Sequence, residues 1–301
     1  MRREERSVRK LASATWLWRV WGLIACALNL ATTFMDCAMT VCCSRTSAIS
    51  DDDAMARFAS ALSHALLVAS SHAYTLYVKS GPDGRTIGDC PFAHGVRLML
   101  QLKALEHEVV PCSPTGKPQW LLDEHEGRMP ALVSETGEVI TESSVIANYL
   151  ETQHPGPTPS PAALEEAETA ATIFGPFARY CKCVDEAQDV ELKKSLLLAL
   201  CTLDAHLAKT ASPFAAGEAM TSVDCFLLPA LYHIQVAAAA YKDFVVPPQF
   251  ESLNAYTNAM FDSALMASTT PPPAMVRWGW ANARGDGEAA AAAAAELTGS
   301  A

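Results

Sequence analysis

The sequence predicts a small α/β domain followed by an all-helical domain, and three observations carry that prediction. Strand-like and helix-like segments alternate from Tyr74 to Glu151, a proline-rich stretch follows at residues 154–161, and beyond it Leu192, Leu196, Leu200, Leu203 and Leu207 share one helical stripe. In order, Tyr74 to Lys79 reads as a strand, Pro91 to Leu105 as a helix and Glu108 to Cys112 as a strand. Ala131 to Val133 and Glu138 to Ile140 read as a hairpin, and Ser143 to Glu151 as a helix. The run His154-Pro155-Gly156-Pro157-Thr158-Pro159-Ser160-Pro161 is a stiff linker that ends the first domain. The expected organisation is a leader at residues 1–69, an α/β domain at 70–153 and a helical domain at 162–270. A mostly disordered tail at 271–301 follows from Pro271 to Pro273 and the seven alanines beginning at Ala289.

Half of the 301 residues are hydrophobic, enough for sizeable cores. The formal charge is −11, yet residues 1–50 hold seven Lys or Arg against three acids, which leaves −15 for the rest. An acidic folded body argues against nucleic-acid binding. Of ten cysteines, Cys26, Cys37, Cys42 and Cys43 lie in the basic leader, and the other six show no disulfide or metal spacing. Cys181 and Cys183, one residue apart with no companion histidines, read as ordinary helix cysteines, so no metal is expected.

The leader joins Arg2, Arg3, Arg6, Arg9 and Lys10 to an apolar stretch from Val20 to Val41. That pattern fits targeting sequence, and three meanings compete: organellar transit peptide, secretory signal and membrane anchor. Asn29 and Asp36 interrupt the apolar run and favour a removable leader. A membrane association is expected only if the leader is retained, and the protein is otherwise cytoplasmic or organellar. Chloroplast is the first assignment for a photosynthetic source.

Cys90 lies just after the first strand and just before the first helix, with Pro91 at the opening helical position. A thiol there faces unpaired N–H groups and the positive end of the helix dipole, so its pKa is expected to fall. An isolated cysteine is more plainly a buried structural residue. The Cys-Pro pair after a strand instead makes Cys90 a candidate nucleophile.

An α/β domain with Cys90-Pro91-Phe92 at its first helix, Met129-Pro130 before a strand, Glu142-Ser143 opening the last helix, and then a helical domain resembles the glutathione transferase superfamily, whose first domain is thioredoxin-like. The segments Gly88-Asp89-Cys90-Pro91-Phe92, Lys117-Pro118-Gln119-Trp120 and Leu231-Tyr232-His233-Ile234-Gln235-Val236 resemble plant-type dehydroascorbate reductases within it. The resemblance implies an oxidoreductase that uses glutathione as co-substrate, with no bound cofactor and no metal, acting on dehydroascorbate as a monomer. It implies a cis peptide at Pro130, with the Met129 backbone pairing with the cysteinyl part of glutathione. It places Ser143 at the γ-glutamyl carboxylate, Glu142 at the γ-glutamyl ammonium and Lys117 at the glycyl carboxylate. Ser143 is equally an ordinary N-cap by its position, and Lys117 an ordinary solvated lysine. Lys79 and Asp89 are placed at both glutathione and ascorbate, and His233 and Trp280 at the ascorbate ring, with Trp278 competing for the Trp280 match. His233 read alone is a core histidine.

Thr221-Ser222-Val223-Asp224 has the spacing of a capping box and is assigned to folding. Ala93, His94 and Gly95 stand where the resembled family commonly has Ser-Gln-Arg, so a basic residue on that turn is expected only if His94 or Arg97 substitutes. Ala93 occupies the place of a resolving cysteine, so the second thiol must come from outside. Two other readings share the Cys-Pro-Phe motif: an omega-like glutathione thiol transferase, and a non-enzymatic protein resembling the chloride intracellular channels. Val96 to Lys103 is too short and charged to span a membrane alone.

Overall fold

The computed structural model describes residues 74–299. The leader, with every expectation placed on it, lies outside the described residues.

The first layer is a four-stranded sheet of order β2-β1-β3-β4, from β1 (Tyr74–Lys79), β2 (His107–Cys112), β3 (Ala131–Val133) and β4 (Val139–Thr141). β1 runs parallel to β2, with Leu76 opposite Val109, and antiparallel to β3, with Leu76 opposite Leu132. Along β1, Tyr74, Leu76 and Val78 are buried and their neighbours less so, the period-2 pattern of a strand facing a core. Pro111 fits within β2 because β2 is an edge strand, where a missing ladder donor is tolerated.

Helices α1 (Pro91–Leu102), α2 (Gln119–His125) and α3 (Ser143–Gln153) complete the layer, and each expected strand and helix up to residue 153 is present within three residues at either end. The seven-residue α2 was not expected, being too short to show a helical period. Its Trp120 ring meets Tyr77 edge-on at 5.2 Å. The arrangement of this sheet and its helices is the thioredoxin-like one.

The rest is helical: α4 (Pro161–Ala170), α5 (Phe174–Lys182), α6 (Glu186–Thr210), α7 (Ser222–His233), a π-helical turn at Ile234–Ala238, α8 (Ala239–Lys242), α9 (Glu251–Phe261) and α10 (Ala264–Thr269). The leucine stripe lies on α6, with Leu196, Leu200, Leu203 and Leu207 buried and Leu192 packed against the core. Ser222 to Lys242 is long and apolar enough to cross a membrane, but two-thirds of its apolar window is buried within the fold.

Gly95 marks how tightly α1 docks on α7. A Cβ there would come within 2.4 Å of the Phe226 ring and 3.1 Å of the Cys225 carbonyl. The helix-weakening glycine is thus explained by close approach rather than by chemistry. His94 and Arg97 are spent on another contact. His94 Nε2 lies 3.0 Å from Thr269 Oγ1, and Arg97 donates to the Thr269 carbonyl at 2.9 Å, fastening α1 to the end of α10. Neither lines the cavity of Cys90 described below.

The tail differs from expectation. It forms α11 (Pro273–Arg284) and α12 (Gly287–Thr298), with Gly285 in the left-handed turn between them. Asp286 caps α12 by accepting from the Ala289 N–H, Arg277 pairs with Glu296, and Ala290 and Ala293 are buried. A run of alanine is low in complexity but is also the strongest helix former, and a neighbouring helix decides between those readings.

Candidate active site

β1 delivers Lys79 at its last position, a loop follows, and Cys90 occupies the N-cap position of α1 in extended backbone with Pro91 as the first helical residue. Lys79 Nζ donates to Asp89 Oδ1 at 2.7 Å and lies 4.9 Å from the centre of the Trp278 ring. The Asp89 side chain is 10% exposed, so the pair is a guarded one on the acid's side and open on the lysine's. From the helical part, Trp280 Nε1 donates to His233 Nδ1 at 2.9 Å. The indole can only donate, so Nδ1 accepts and the imidazole proton resides on Nε2. That Nε2 is buried without a hydrogen bond of good geometry, although the Asp89 main-chain carbonyl pulls the ring's proton affinity upward.

These groups meet in one cavity of about 220 Å³, whose wall includes Lys79, Asp89, Cys90, Phe174, His233 and Trp280. Trp280 therefore faces the cysteine, and Trp278 lies with Lys79 instead. Phe174 stacks edge-on against Phe92 at 4.8 Å, and Phe177 against Trp280 at the same distance, so aromatic rings brace the apolar side. Lys182, at the end of α5, and Gly279, in α11, also line it. Sequence reasoning missed both, because nothing near either residue in the chain marks it.

The other expected residues form a second group outside this lining. Met129-Pro130 is cis and leads into β3. Lys117 Nζ donates to the Gly127 carbonyl at 2.6 Å. Glu142, not Ser143, takes the N-cap position of α3, in left-handed backbone (φ 68°), and Ser143 is the first helical residue. Neither side chain caps the helix, which corrects the N-cap reading of Ser143. Glu142 is exposed and lies 3.4 Å from Arg128 Nη1.

Burial corrects the expected fall in the Cys90 pKa. Enclosure by the surrounding protein is the largest influence and pushes the thiol up; the N–H groups of Ala93 and Phe92 and the Lys79 charge pull it down, and Asp89 adds to the rise. The local helix-start argument identifies real contributions, but they do not prevail.

Burial also lowers His233 to about 4 and His94 to about 3, so both rings are neutral at physiological pH. Below the ordinary histidine pKa of 6.5 the unfolded chain binds protons that these folded rings refuse, so stability is highest above that pH and falls as pH drops toward 4 and 3. The slope is up to about 1.4 kcal/mol per pH unit for each ring. Thermal unfolding should show a midpoint lower at about pH 5 than at about pH 7, and an unchanged midpoint contradicts the buried neutral pair.

The geometry defines a class: a cysteine-bearing member of the glutathione transferase fold. Residues 86–158 match the family described as glutathione S-transferase, N-terminal domain. The chain is 36% identical over 195 residues to glutathione S-transferase DHAR2 of Arabidopsis thaliana, covering 64% of this chain and 90% of that one. It is 30% identical over 195 residues to a probable chloroplastic glutathione S-transferase DHAR2 of Oryza sativa subsp. japonica, covering 64% and 70%. Among solved structures it resembles dehydroascorbate reductase of Chlamydomonas reinhardtii, with a TM-score of 0.62, 28% identity, and coverage of 70% and 99%. The chain belongs to the dehydroascorbate reductase family of the glutathione transferase superfamily, and is an enzyme of this kind.

Proposed function

We propose that the protein reduces dehydroascorbate to ascorbate at Cys90, using two molecules of glutathione in a ping-pong cycle. The observation that carries this reading is the cavity in which Cys90, the Lys79–Asp89 pair and the Trp280–His233 pair converge. The Cys90 thiol and one water reduce dehydroascorbate: two electrons and two protons pass to the substrate, giving ascorbate, and the water oxygen remains on sulfur as a sulfenic acid. The first glutathione thiol displaces that oxygen as water, forming the Cys90–glutathione disulfide. The second attacks the glutathione sulfur of the mixed disulfide, releasing glutathione disulfide and restoring the thiol. No other cysteine lines the cavity among the described residues, which suits a cycle whose second thiol comes from solution.

Lys79 is suited to stabilise enediolate charge as ascorbate forms, and the neutral His233 ring, held by Trp280, to shape the cavity wall beside the substrate. Asp89 holds Lys79 in place and handles a proton at the ring; its own charge disfavours the thiolate. In the second group, the Met129 backbone, Glu142, Ser143 and Lys117 are suited to hold glutathione. Helix α3 offers its free N–H groups to a carboxylate at Ser143, and Lys117, which gives one ammonium N–H to the Gly127 carbonyl, keeps two further donors for a glycyl carboxylate. Plastid targeting of residues 1–69 rests on the basic leader and is supported by the chloroplastic naming of the rice relative.

Steady-state kinetics on the full chain test this. Ascorbate formation should require glutathione and give parallel double-reciprocal lines when both substrates are varied. Intersecting lines, or faster reduction of glutathionylated peptide than of dehydroascorbate, favour a sequential mechanism or a general thiol transferase instead.

A further inference from the structure

Gly279 sits in the middle of α11, where glycine costs about 1 kcal/mol relative to alanine in a helix. The space a side chain would need is already taken. A Cβ on Gly279 would lie 1.6 Å from Asp89 Oδ2, 2.1 Å from Cγ and 2.7 Å from Oδ1, and these are its three nearest atoms. The Asp89 carboxylate therefore rests on the bare backbone of α11, with Lys79 Nζ 2.7 Å away at Oδ1. The next residue along α11, Trp280, donates to His233. Two adjacent positions of one helix thus set two walls of the Cys90 cavity.

We propose that Gly279 is a positioning residue of the active site: by leaving its Cβ space empty it seats the Asp89 carboxylate against Lys79, beside Cys90. The proposal rests on the reading of Cys90 as the nucleophile. Any side chain at 279 forces the short Asp89 carboxylate to rotate away, because the displaced atoms are Cγ and both oxygens rather than the end of a long flexible chain. Lys79 then loses its partner, and Cys90 loses the acid charge that disfavours its thiolate while facing an unneutralised ammonium. Both changes make the thiol easier to ionise. The substrate pocket, in contrast, loses an ordered acid, so catalysis suffers while thiol reactivity rises.

The test compares the full chain with Gly279→Ala, Asp89→Ala and the double variant. The rate of iodoacetamide alkylation at Cys90 is followed against pH on the Cys90 peptide, beside kcat and KM for dehydroascorbate. Both single variants should move the alkylation midpoint to lower pH, and Gly279→Ala should lower kcat/KM for dehydroascorbate about tenfold, the loss of one well-placed polar contact. Because the steric conflict needs the carboxylate, the double variant should match Asp89→Ala alone in both readouts. If Gly279→Ala does not fold, recovery of folding in the double variant supports the same contact, and failure of both overturns it. A midpoint that moves in Asp89→Ala but not in Gly279→Ala, or a double variant worse than Asp89→Ala, overturns the positioning role and leaves the reductase reading intact. An unmoved midpoint in Asp89→Ala overturns the proposal and the assigned roles of the Lys79–Asp89 pair together.

Discussion

Replacing Cys90 by serine should lower glutathione-dependent ascorbate formation by on the order of 10³-fold or more, to the uncatalysed background. The magnitude follows from chemistry that oxygen cannot perform: a serine hydroxyl does not ionise near neutral pH, and it cannot carry the oxidised state or the disulfide that links the half-reactions. Folding should be untouched, since Cys90 is only half-buried and its backbone role at the N-cap position uses its carbonyl, which accepts from the His94 N–H at 3.0 Å. Glutathione affinity should persist, because the residues suited to hold it form the separate group around Met129, Glu142 and Ser143. In the unsubstituted enzyme, a thiol pushed up by burial implies that turnover rises with pH through the neutral range as the thiolate fraction grows. Mass spectrometry should find a single glutathionyl group on Cys90 after oxidation with limiting glutathione. Appreciable turnover by the serine variant would falsify the nucleophile assignment.

How much of this was legible in the chain depends on how local each cause is. The N-cap placement of Cys90 was readable because a strand, a loop and Cys-Pro are contiguous. The capping box was readable for the same reason, its partners being three residues apart. The sign of the Cys90 pKa shift was not: the helix-start donors are local, but enclosure includes Phe174 and Trp280, which lie far along the chain. Lys182 and Gly279 were invisible on the same ground, since their meaning exists only once α5 and α11 stand beside β1 and α1. That Trp280 rather than Trp278, two residues apart on α11, lines the Cys90 cavity follows only from the orientation of the helix. Gly95 looked like a defect in the sequence and becomes intelligible only against Phe226.

Asp224→Ala should destabilise the protein by on the order of 4 kcal/mol, the largest effect on folding expected of any single polar residue here. The Asp224 carboxylate is wholly buried and accepts four hydrogen bonds: from the Ala215 N–H at 2.8 Å, the Thr221 N–H at 2.9 Å, Thr221 Oγ1 at 3.2 Å and Tyr256 Oη at 2.8 Å. It therefore closes the capping box of α7, pins the preceding loop and reaches across to α9. Alanine leaves two amides and a phenol without partners in the interior, and each stranded donor costs about 1–3 kcal/mol. Urea unfolding should show a lower midpoint with an unchanged slope, and a loss below about 1 kcal/mol would mean that water replaces the carboxylate. The same residue separates folding from chemistry on one helix. Asp224 is at the start of α7 and His233 at its end, so per folded molecule the Asp224 variant's kcat should match the unsubstituted enzyme, whereas changes at His233 should alter kcat and also lower stability, because they strand the buried Trp280 N–H.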